Sequence, residues 1–224
     1  MKQNITAIIP VRKNSKRLKN KNFINFFNQK SLLEIKIEQL KKIKYIDRIV
    51  VSSDSLKAQK IAKRHKVLFH KRKKFYASSK CSGSNFFKNL AEHINGDYLV
   101  YCPCTSPIIK MKTYNLFFRK FFRLRFKHDS FNTVTKLKTF IWKDKKPVNY
   151  TLADAPNSQD LPENFYYLNF GINIIKREKM IKFKNIVGKK PKFIVLDKYE
   201  STDINDKFDF ENARLLYKKS MKIN

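Results

Sequence analysis

The chain has 224 residues, enough to bury one sizeable core, so we expect a single α/β domain over residues 1–224. Its 50 lysines and arginines against 18 acidic residues give a formal net charge of +32, a balance that ordinarily points to nucleic acid. The basic residues are mostly lysines scattered along the whole chain, which favours compositional drift over a nucleic-acid footprint, although the charge would still attract small anions into a cleft.

The N-terminal residues and the cysteines set further limits. The apolar run from Ile5 to Ile9 is too short for a signal peptide or a membrane span, so we expect a cytoplasmic protein. Cys81, Cys102 and Cys104 lack the CxxC pairs or histidine partners of a structural zinc site, so free or buried thiols are expected. A strained disulfide or a ligand pair at Cys102 and Cys104 is the alternative.

Short apolar runs alternate with segments of helical period, which is typical of βα units wound on a mostly parallel sheet. Ser31 and Glu34 form a predicted capping box at the start of the first helix. The elements predicted in the first half are strand 5–9, a helix from residue 31, strand 48–53, helix 55–65, a weak strand 67–70 and helix 85–94. The alternation predicts an α/β fold.

The second half continues the pattern with one interruption. Residues 97–102 are apolar enough to predict a strand covered on both faces. Helix 112–126 is rich in phenylalanine, which favours core packing over the alternative of a membrane-surface helix. Periodicity fades in segment 138–165, which we interpret as an excursion from the core, and then strands 167–175 and 192–196 and helix 210–218 follow.

The loop after the first strand, residues 10–22, is dense in cations, hydroxyls and amides. Ligands of α/β sheets lie at the carboxyl ends of the strands, so this loop is the first place to look for chemistry. A triphosphate needs such donors, because the charge on its α-phosphate and on the leaving pyrophosphate must be met by preorganised cations. On charge alone, a solvated basic loop explains the same residues.

This loop resembles the motif I-P-A-R-G-G-S-K-G-I-x-x-K-N of the acylneuraminate cytidylyltransferase family. Other segments resemble motifs of that family in the same order along nearly the whole chain. The loop residues that match are Pro10, Arg12, Ser15, Lys16, Leu18, Lys21 and Asn22, and the other segments are 49–54 (IVVSSD), Arg72 with Ala77 and Ser78, 105–107 (TSP), 157–162 (NSQDLP), 169–172 (NFGI) and 201–210 (STDINDKFDF).

The resemblance implies a Rossmann-like nucleotidyltransferase fold, with CTP as donor, Mg²⁺ as cofactor and an acidic sugar of the N-acylneuraminate or nonulosonate type as acceptor. The anomeric hydroxyl of the sugar would attack the α-phosphate in line and release pyrophosphate. By motif position the catalytic residues are Arg12, Lys21 and Asp203; the nucleotide-binding residues are Arg12, Ser15, Lys16, Lys21, Asn22, Arg72, Ser82 and Ser84; the sugar-binding residues are Thr105, Ser106 and Gln159; and the metal ligands are Asp203 and Asn205.

The resemblance also implies that segment 138–165 is a protruding dimerisation arm, which in the family reaches across a two-fold axis to a second subunit. Trp142 and Tyr150 would then be interface anchors of a homodimer. Gln159 either contacts the sugar or belongs to an exposed polar turn. An aspartate such as Asp203 is commonly only a helix cap, but its motif position favours the metal.

Four departures from the family pattern leave alternatives open. Lys13 and Asn14 replace two glycines, and Asn205 replaces a second metal aspartate. Pro103 with Cys104 and Asn157 replace residues expected to contact the base or the acidic acceptor. The acceptor is therefore also compatible with Kdo or a phosphonate, and a homologue that has lost catalysis and acts as a basic binding protein is the third hypothesis.

Overall fold

The structure is a computed structural model that describes residues 3–222. Within that range the strands are β1 (Ile5–Pro10), β2 (Asn25–Phe27), β3 (Lys30–Ser31), β4 (Arg48–Ser53), β5 (Leu68–Lys71), β6 (Tyr98–Tyr101), β7 (Ser130–Lys136), β8 (Trp142–Lys143), β9 (Lys146–Pro147), β10 (Tyr166–Lys176) and β11 (Pro191–Val195). The helices are α1 (Leu32–Lys41), α2 (Leu56–Arg64), α3 (Lys74–Ala77), α4 (Gly83–His93), α5 (Met111–Leu124), α6 (Arg177–Phe183) and α7 (Lys207–Lys222), with one 3₁₀ turn at Ser158–Asp160.

Seven strands form the main sheet, in the order β11-β7-β10-β6-β1-β4-β5. All neighbours pair in parallel except β10, which is antiparallel to both β6 and β7. The predicted α/β fold with a mostly parallel sheet is therefore confirmed. Because β1 and β6 are adjacent and parallel, the loops that follow them open at the same edge.

Helices cover both faces of this sheet, as the alternation of side chains along β1 illustrates. Ile5, Ala7 and Ile9 lie in the larger apolar cluster with residues of α1, α5 and α7. Ile8 points to the other face and packs in a second cluster with residues of α4 and α6. The successive buried residues of β1 thus serve two cores, which is why neither face of the strand is exposed to solvent.

Serine side chains cap three of the helices. Ser31 Oγ accepts the amide of Glu34, and the Glu34 carboxylate accepts the amide of Ser31, so the predicted capping box is confirmed. Ser55 and Ser82 cap α2 and α4 in the simpler way, each accepting an amide three residues later. These caps fix where the helices leave the loops.

The aromatic helix α5 packs into the core, as predicted. Tyr114, Phe117, Phe118 and Phe121 are buried, and Phe121 makes edge contacts with one ring on β6 and one on β7. No helix in the described part of the chain is long and apolar enough to cross a membrane. The three cysteines are unpaired, with Cys102 and Cys104 buried, as expected.

Strand β7 has no counterpart in the prediction, because three of its five buried positions are polar. Ser130, Asn132 and Thr133 are all buried, and Asn132 Nδ2 donates to Asn173 Oδ1 at 3.1 Å and to the Ile186 carbonyl at 3.0 Å. Hydrogen bonds to neighbouring strands and loops replace the apolar contacts that usually mark a central strand. All residues from Ser130 to Val134 are buried, so the strand shows no alternation of apolar and polar residues that would have predicted it.

Strand β10 contains a bulge at the segment NFGI. Its pairing with β7 shifts register between Leu168 and Asn173, and Phe170 has a φ of 56°, in the left-handed region. Glycine is the residue that adopts this conformation without cost, so a phenylalanine there carries backbone strain. Gly171 is needed for space, since a Cβ would lie 2.7 Å from the Ile109 side chain.

Segment 138–165 leaves the main sheet between β7 and β10. It contains the two-stranded ribbon of β8 and β9 and the 3₁₀ turn. Asn149 ties the ribbon together by donating to the Thr139 carbonyl and accepting the Ile141 amide. Near the other end of the sheet, Gly188 lies against the Asp129 carboxylate, where a Cβ would come within 2.1 Å of Oδ1.

Candidate active site

The carboxyl ends of β1 and β6 open into a cleft of about 430 Å³. Its lining comes from segments far apart in the chain, which the sheet order brings to one edge. The lining residues are Pro10, Arg12, Asn14, Ser15, Lys16, Arg17, Lys21, Asn22, Arg72, Phe86, Tyr101, Pro103, Cys104, Thr105 and Asn205.

The cleft is strongly cationic. Five of its lining residues are arginine or lysine, and among the described residues that line it none is acidic. Low-dielectric walls focus the field of such a set, so the cleft favours a polyanion.

The cation loop after β1 is held by backbone contacts although it lacks the glycines of the family motif. The Val11 amide donates to the Ser52 carbonyl at 2.9 Å, and the Lys13 amide donates to Asp54 Oδ1 at 2.8 Å. Asn20 takes a left-handed φ of 57°, which asparagine tolerates. Asp54 of the IVVSSD segment therefore anchors the loop, and the Lys13 amide is engaged there rather than facing a ligand.

Lys21 is buried at the base of the cleft, where its ammonium donates to the Ile204 carbonyl. Burial lowers the pKa of this lysine, while the nearby Asp203 carboxylate opposes the shift. The electrostatic attraction between a buried ammonium and a developing phosphate charge is stronger than the same attraction in water, because the local dielectric constant is low.

Arg72 forms one wall of the cleft and is only 2% exposed. Its guanidinium donates to the Val11 and Ser52 carbonyls and lies 5.1 Å from the centre of the Phe86 ring. Burial lowers its pKa to about 10, so it remains charged at neutral pH. Its buried Nε has no protein partner within residues 3–222, which leaves one donor for a ligand.

Asn22 offers the complementary group. It is buried in the cleft, and its Oδ1 has no hydrogen-bond donor within the described chain. A buried amide oxygen without a donor costs free energy that a bound N–H or O–H group would recover.

Two aromatic residues of the cleft, Phe86 and Tyr101, were not predicted as site residues. The Tyr101 ring packs edge-on against Phe87 at 5.5 Å, and burial raises the pKa of its hydroxyl to about 12. Phe86 lies on α4, and an apolar residue within a helix gives no sign that it faces a cleft. The position of Tyr101 at the carboxyl end of an apolar strand is the signal that would have found it. Arg17, within the motif loop, also lines the cleft.

The cleft brings together most of the predicted site residues but not all of them. Those that line it are Arg12, Ser15, Lys16, Lys21, Asn22, Arg72, Thr105 and Asn205. Those outside the lining are Ser82, which caps α4; Ser84, exposed on the same helix; Ser106, buried within the turn after β6; Gln159, exposed on segment 138–165; and Asp203, which lies within electrostatic reach of Lys21.

The predicted metal ligands form a small polar cluster. Asp203 Oδ2 accepts Asn205 Nδ2 at 3.1 Å, and Asn205 Oδ1 accepts the Arg17 guanidinium at 2.7 Å. Among residues 3–222 no group of three or more His, Cys, Asp or Glu side chains is placed to hold a metal. One carboxylate fits an ion such as Mg²⁺ that takes its other ligands from phosphates and water. The Asn205 oxygen would have to leave Arg17 to take part.

Two known proteins are similar to this chain in sequence. The chain is 27% identical over 98% of its length to the N-acylneuraminate cytidylyltransferase of Escherichia coli O18:K1:H7 (strain RS218 / NMEC), of which it spans about half, 53%. A 63-residue part, 28% of the chain, is 41% identical to 12% of a bifunctional pseudaminic acid cytidylyltransferase and UDP-2,4-diacetamido-2,4,6-trideoxy-beta-L-altropyranose hydrolase of Helicobacter pylori (strain ATCC 700392 / 26695).

Solved structures share the fold. A CMP:2-keto-3-deoxy-manno-octonic acid synthetase complexed with CTP has a TM-score of 0.68 at 10% identity and covers 97% of this chain and 99% of its own. A 4-diphosphocytidyl-2C-methyl-D-erythritol synthase from Anaerococcus prevotii DSM 20548 has a TM-score of 0.69 at 15% identity, with 96% of each chain covered. The Cytidylyltransferase family profile matches residues 6–223. The chain is therefore a member of the cytidylyltransferase family.

Proposed function

We propose that the chain is a CTP-dependent cytidylyltransferase that forms a CMP-activated acidic sugar and releases pyrophosphate. The observation that carries the proposal is the cleft at the carboxyl ends of β1 and β6, where five cations converge. A nucleoside triphosphate suits such a cleft, because phosphoryl chemistry depends on positioning and on neutralising the charge of the transition state. Family membership narrows the reaction to cytidylyl transfer.

The cations divide by burial. Exposed Arg12 and Lys16, with the Ser15 hydroxyl, would hold the triphosphate at the mouth of the cleft. Buried Lys21 would meet the charge that develops as the sugar oxygen bonds to the α-phosphorus and the bond to pyrophosphate breaks. Its tie to the Ile204 carbonyl restricts the ammonium before substrate arrives.

The nucleoside is assigned to the side of the cleft that Asn22, Arg72 and Phe86 form. Asn22 Oδ1 is an acceptor without a donor, and Arg72 Nε is a donor without an acceptor. Cytosine carries both an amino donor and a carbonyl acceptor, so the two unpaired atoms match its edge. Ser82 and Ser84 stay proposed as contacts to base or ribose, because they flank the start of the helix that carries Phe86.

We assign Mg²⁺ to Asp203, with Asn205 as a second ligand if Arg17 moves away. When bound, the ion would neutralise charge on the phosphates. The position of Asp203 near Lys21 supports this assignment, since the carboxylate lies beside the proposed transition-state cation rather than on the far side of the sheet.

The acceptor is proposed to be an acidic sugar of the nonulosonate type. Two relatives are named for such compounds, N-acylneuraminate and pseudaminic acid. Thr105 lines the cleft, and the backbone of Ser106 forms the adjoining turn, so both lie where the acceptor would approach. Asn157 and Pro103 replace family residues near the acceptor, so a Kdo-like acceptor is retained as an outcome of the test.

We also propose that the chain forms a homodimer through segment 138–165. Segment 138–165 exposes large apolar side chains that its own chain leaves uncovered, including Trp142 at 51% and Leu152 at 67%. Gln159 lies on this segment outside the cleft of its own chain, so contact with a sugar would require delivery to a second subunit. Sedimentation should give a dimer for the wild-type chain and a monomer for Trp142→Ser combined with Leu152→Ser; a monomeric wild type contradicts this part.

The proposal is tested by pyrophosphate release. The purified chain should release pyrophosphate with CTP, Mg²⁺ and at least one of N-acetylneuraminate, pseudaminate or Kdo, and ATP, GTP and UTP should give much lower rates. Product mass identifies the acceptor. Salt-sensitive oligonucleotide binding, with no turnover and no stabilisation by CTP, would replace the proposal with a basic binding protein.

A further inference from the structure

Helix α1 carries a fully buried lysine under the cleft. Lys36 has no exposed surface, and its ammonium donates to the Ser106 carbonyl at 2.7 Å and to the Tyr114 hydroxyl at 3.0 Å. Its neighbours on the helix, Ile35 and Ile37, are buried apolar residues. An apolar side chain would fill this site without desolvating a charge, so packing alone does not account for a lysine.

The lysine grips a turn that forms part of the cleft. Ser106 belongs to the Thr105–Ser106–Pro107 turn that follows β6, and Thr105 lines the cleft. Gln39, one helical turn beyond Lys36, donates to the Pro107 carbonyl. Lys36 and Gln39, on one face of α1, therefore donate to the consecutive carbonyls of the turn, those of Ser106 and Pro107.

The turn continues into contacts that reach the proposed transition-state cation. The Thr105 carbonyl accepts the Ile204 amide at 2.9 Å, and the Ile204 carbonyl accepts the Lys21 ammonium. Both links use the backbone of Ile204, which is buried, and a buried backbone group is costly to leave without a hydrogen bond. Lys36 and Lys21 are thus joined through two short backbone segments.

We propose that Lys36 is a positioning residue, whose buried ammonium fixes the Thr105–Pro107 turn and, through Ile204, holds Lys21 at its place in the cleft. Lys36 itself touches no ligand in this scheme. The kinetic part of the inference rests on the proposed function, and the structural part does not.

The test compares Lys36→Met, which keeps the length of the side chain, with Tyr114→Phe, which removes the other partner of Lys36 and leaves the turn bonded. Hydrogen exchange of the Ile204 amide should accelerate at least tenfold in Lys36→Met and stay within threefold of wild type in Tyr114→Phe. The kcat for pyrophosphate release should fall at least tenfold in Lys36→Met only, with the KM for CTP within threefold.

The outcomes separate the two proposals. Wild-type exchange at Ile204 in Lys36→Met overturns the positioning role, and so do equal losses in Lys36→Met and Tyr114→Phe, since these would indicate a general core effect. A wild-type chain without transferase activity removes the proposed function, while the exchange comparison still decides the role of Lys36. If Lys36→Met fails to fold, Lys36→Leu, a shorter apolar side chain that also removes the bond to the Ser106 carbonyl, replaces it, and unchanged exchange at Ile204 in that variant overturns the positioning role.

Discussion

The buried Lys36 predicts a stability difference that depends on pH. Burial lowers its pKa from an ordinary 10.5 to about 8, so between these values the unfolded chain binds a proton that the folded chain does not. The free energy of unfolding should therefore rise with pH in this window. The full shift corresponds to about 3 kcal/mol, of which about 1 kcal/mol falls between pH 7 and pH 9.

The groups that face Lys36 do not titrate in that window. Burial raises the pKa of Cys102 and of Cys104 to about 12, and that of Tyr114 well above its ordinary 10.0. Lys36→Met removes the titrating group, and every other lysine is common to both proteins. Subtracting one unfolding curve from the other isolates the effect of this one side chain.

The assay is chemical denaturation of wild type and Lys36→Met at pH 7, 8 and 9, with reductant to protect the thiols. The unfolding free energy of wild type minus that of the variant should increase by about 1 kcal/mol across this range. Lys19→Met, at an exposed position, is the matched control and should give no trend. A flat difference for Lys36→Met would refute the reasoning, since it would mean that the ammonium keeps its ordinary pKa.

Three other predictions concern the cation cleft and the scaffold. Lys21→Met should lower kcat about 100-fold to 1000-fold while the protein stays folded, and a loss below tenfold in pyrophosphate release would remove Lys21 from the mechanism. Gly188→Ala should lower the free energy of unfolding by about 1–3 kcal/mol, measured by chemical denaturation, because the added methyl group would meet the Asp129 carboxylate. Gly83→Ala is the control and should cost nothing, since a Cβ there meets no atom closer than 4.0 Å. Equal effects of the two substitutions would contradict this prediction. Glu200→Ala should lower the free energy of unfolding by about 1–3 kcal/mol, since this buried carboxylate accepts the Lys110 amide at the start of α5. Glu211→Ala removes an exposed ion pair and should cost under about 1 kcal/mol in the same denaturation assay. A larger loss for Glu211→Ala than for Glu200→Ala would contradict the assignment.

The sequence predicted the elements whose pattern is local. The capping box at Ser31 and Glu34 and the apolar strand β4 depend on residues close in the chain, and both form where expected. Strand β7 could not be predicted in the same way, because Asn132 finds its partners 41 and 54 residues away. The sequence alone does not distinguish an asparagine that is buried and hydrogen-bonded from one that is exposed, because its partners are known only from the fold.

In the candidate site, too, some residues could be predicted from a local motif and others depend on distant contacts. Arg12 and Lys21 follow from the motif loop, and the structure places both in the cleft. Phe86 and Lys36 could not be assigned, since an apolar residue on a helix and a lysine in a lysine-rich chain carry no local signal of their surroundings. Their roles depend on which turn or ring lies opposite, and that is decided by sheet order.

The bond between Lys21 and the Ile204 carbonyl joins residues 183 positions apart, and this has a consequence for synthesis. The strands of the main sheet are complete at Val195, before Ile204 has been added. A nascent chain can therefore assemble its sheet while Lys21 still lacks its carbonyl and the cleft lacks the Asn205 wall. Once the sheet has formed, only the short segment after Val195 remains to be placed, so a ligand of the cleft should have little to stabilise until residues beyond 200 leave the ribosome.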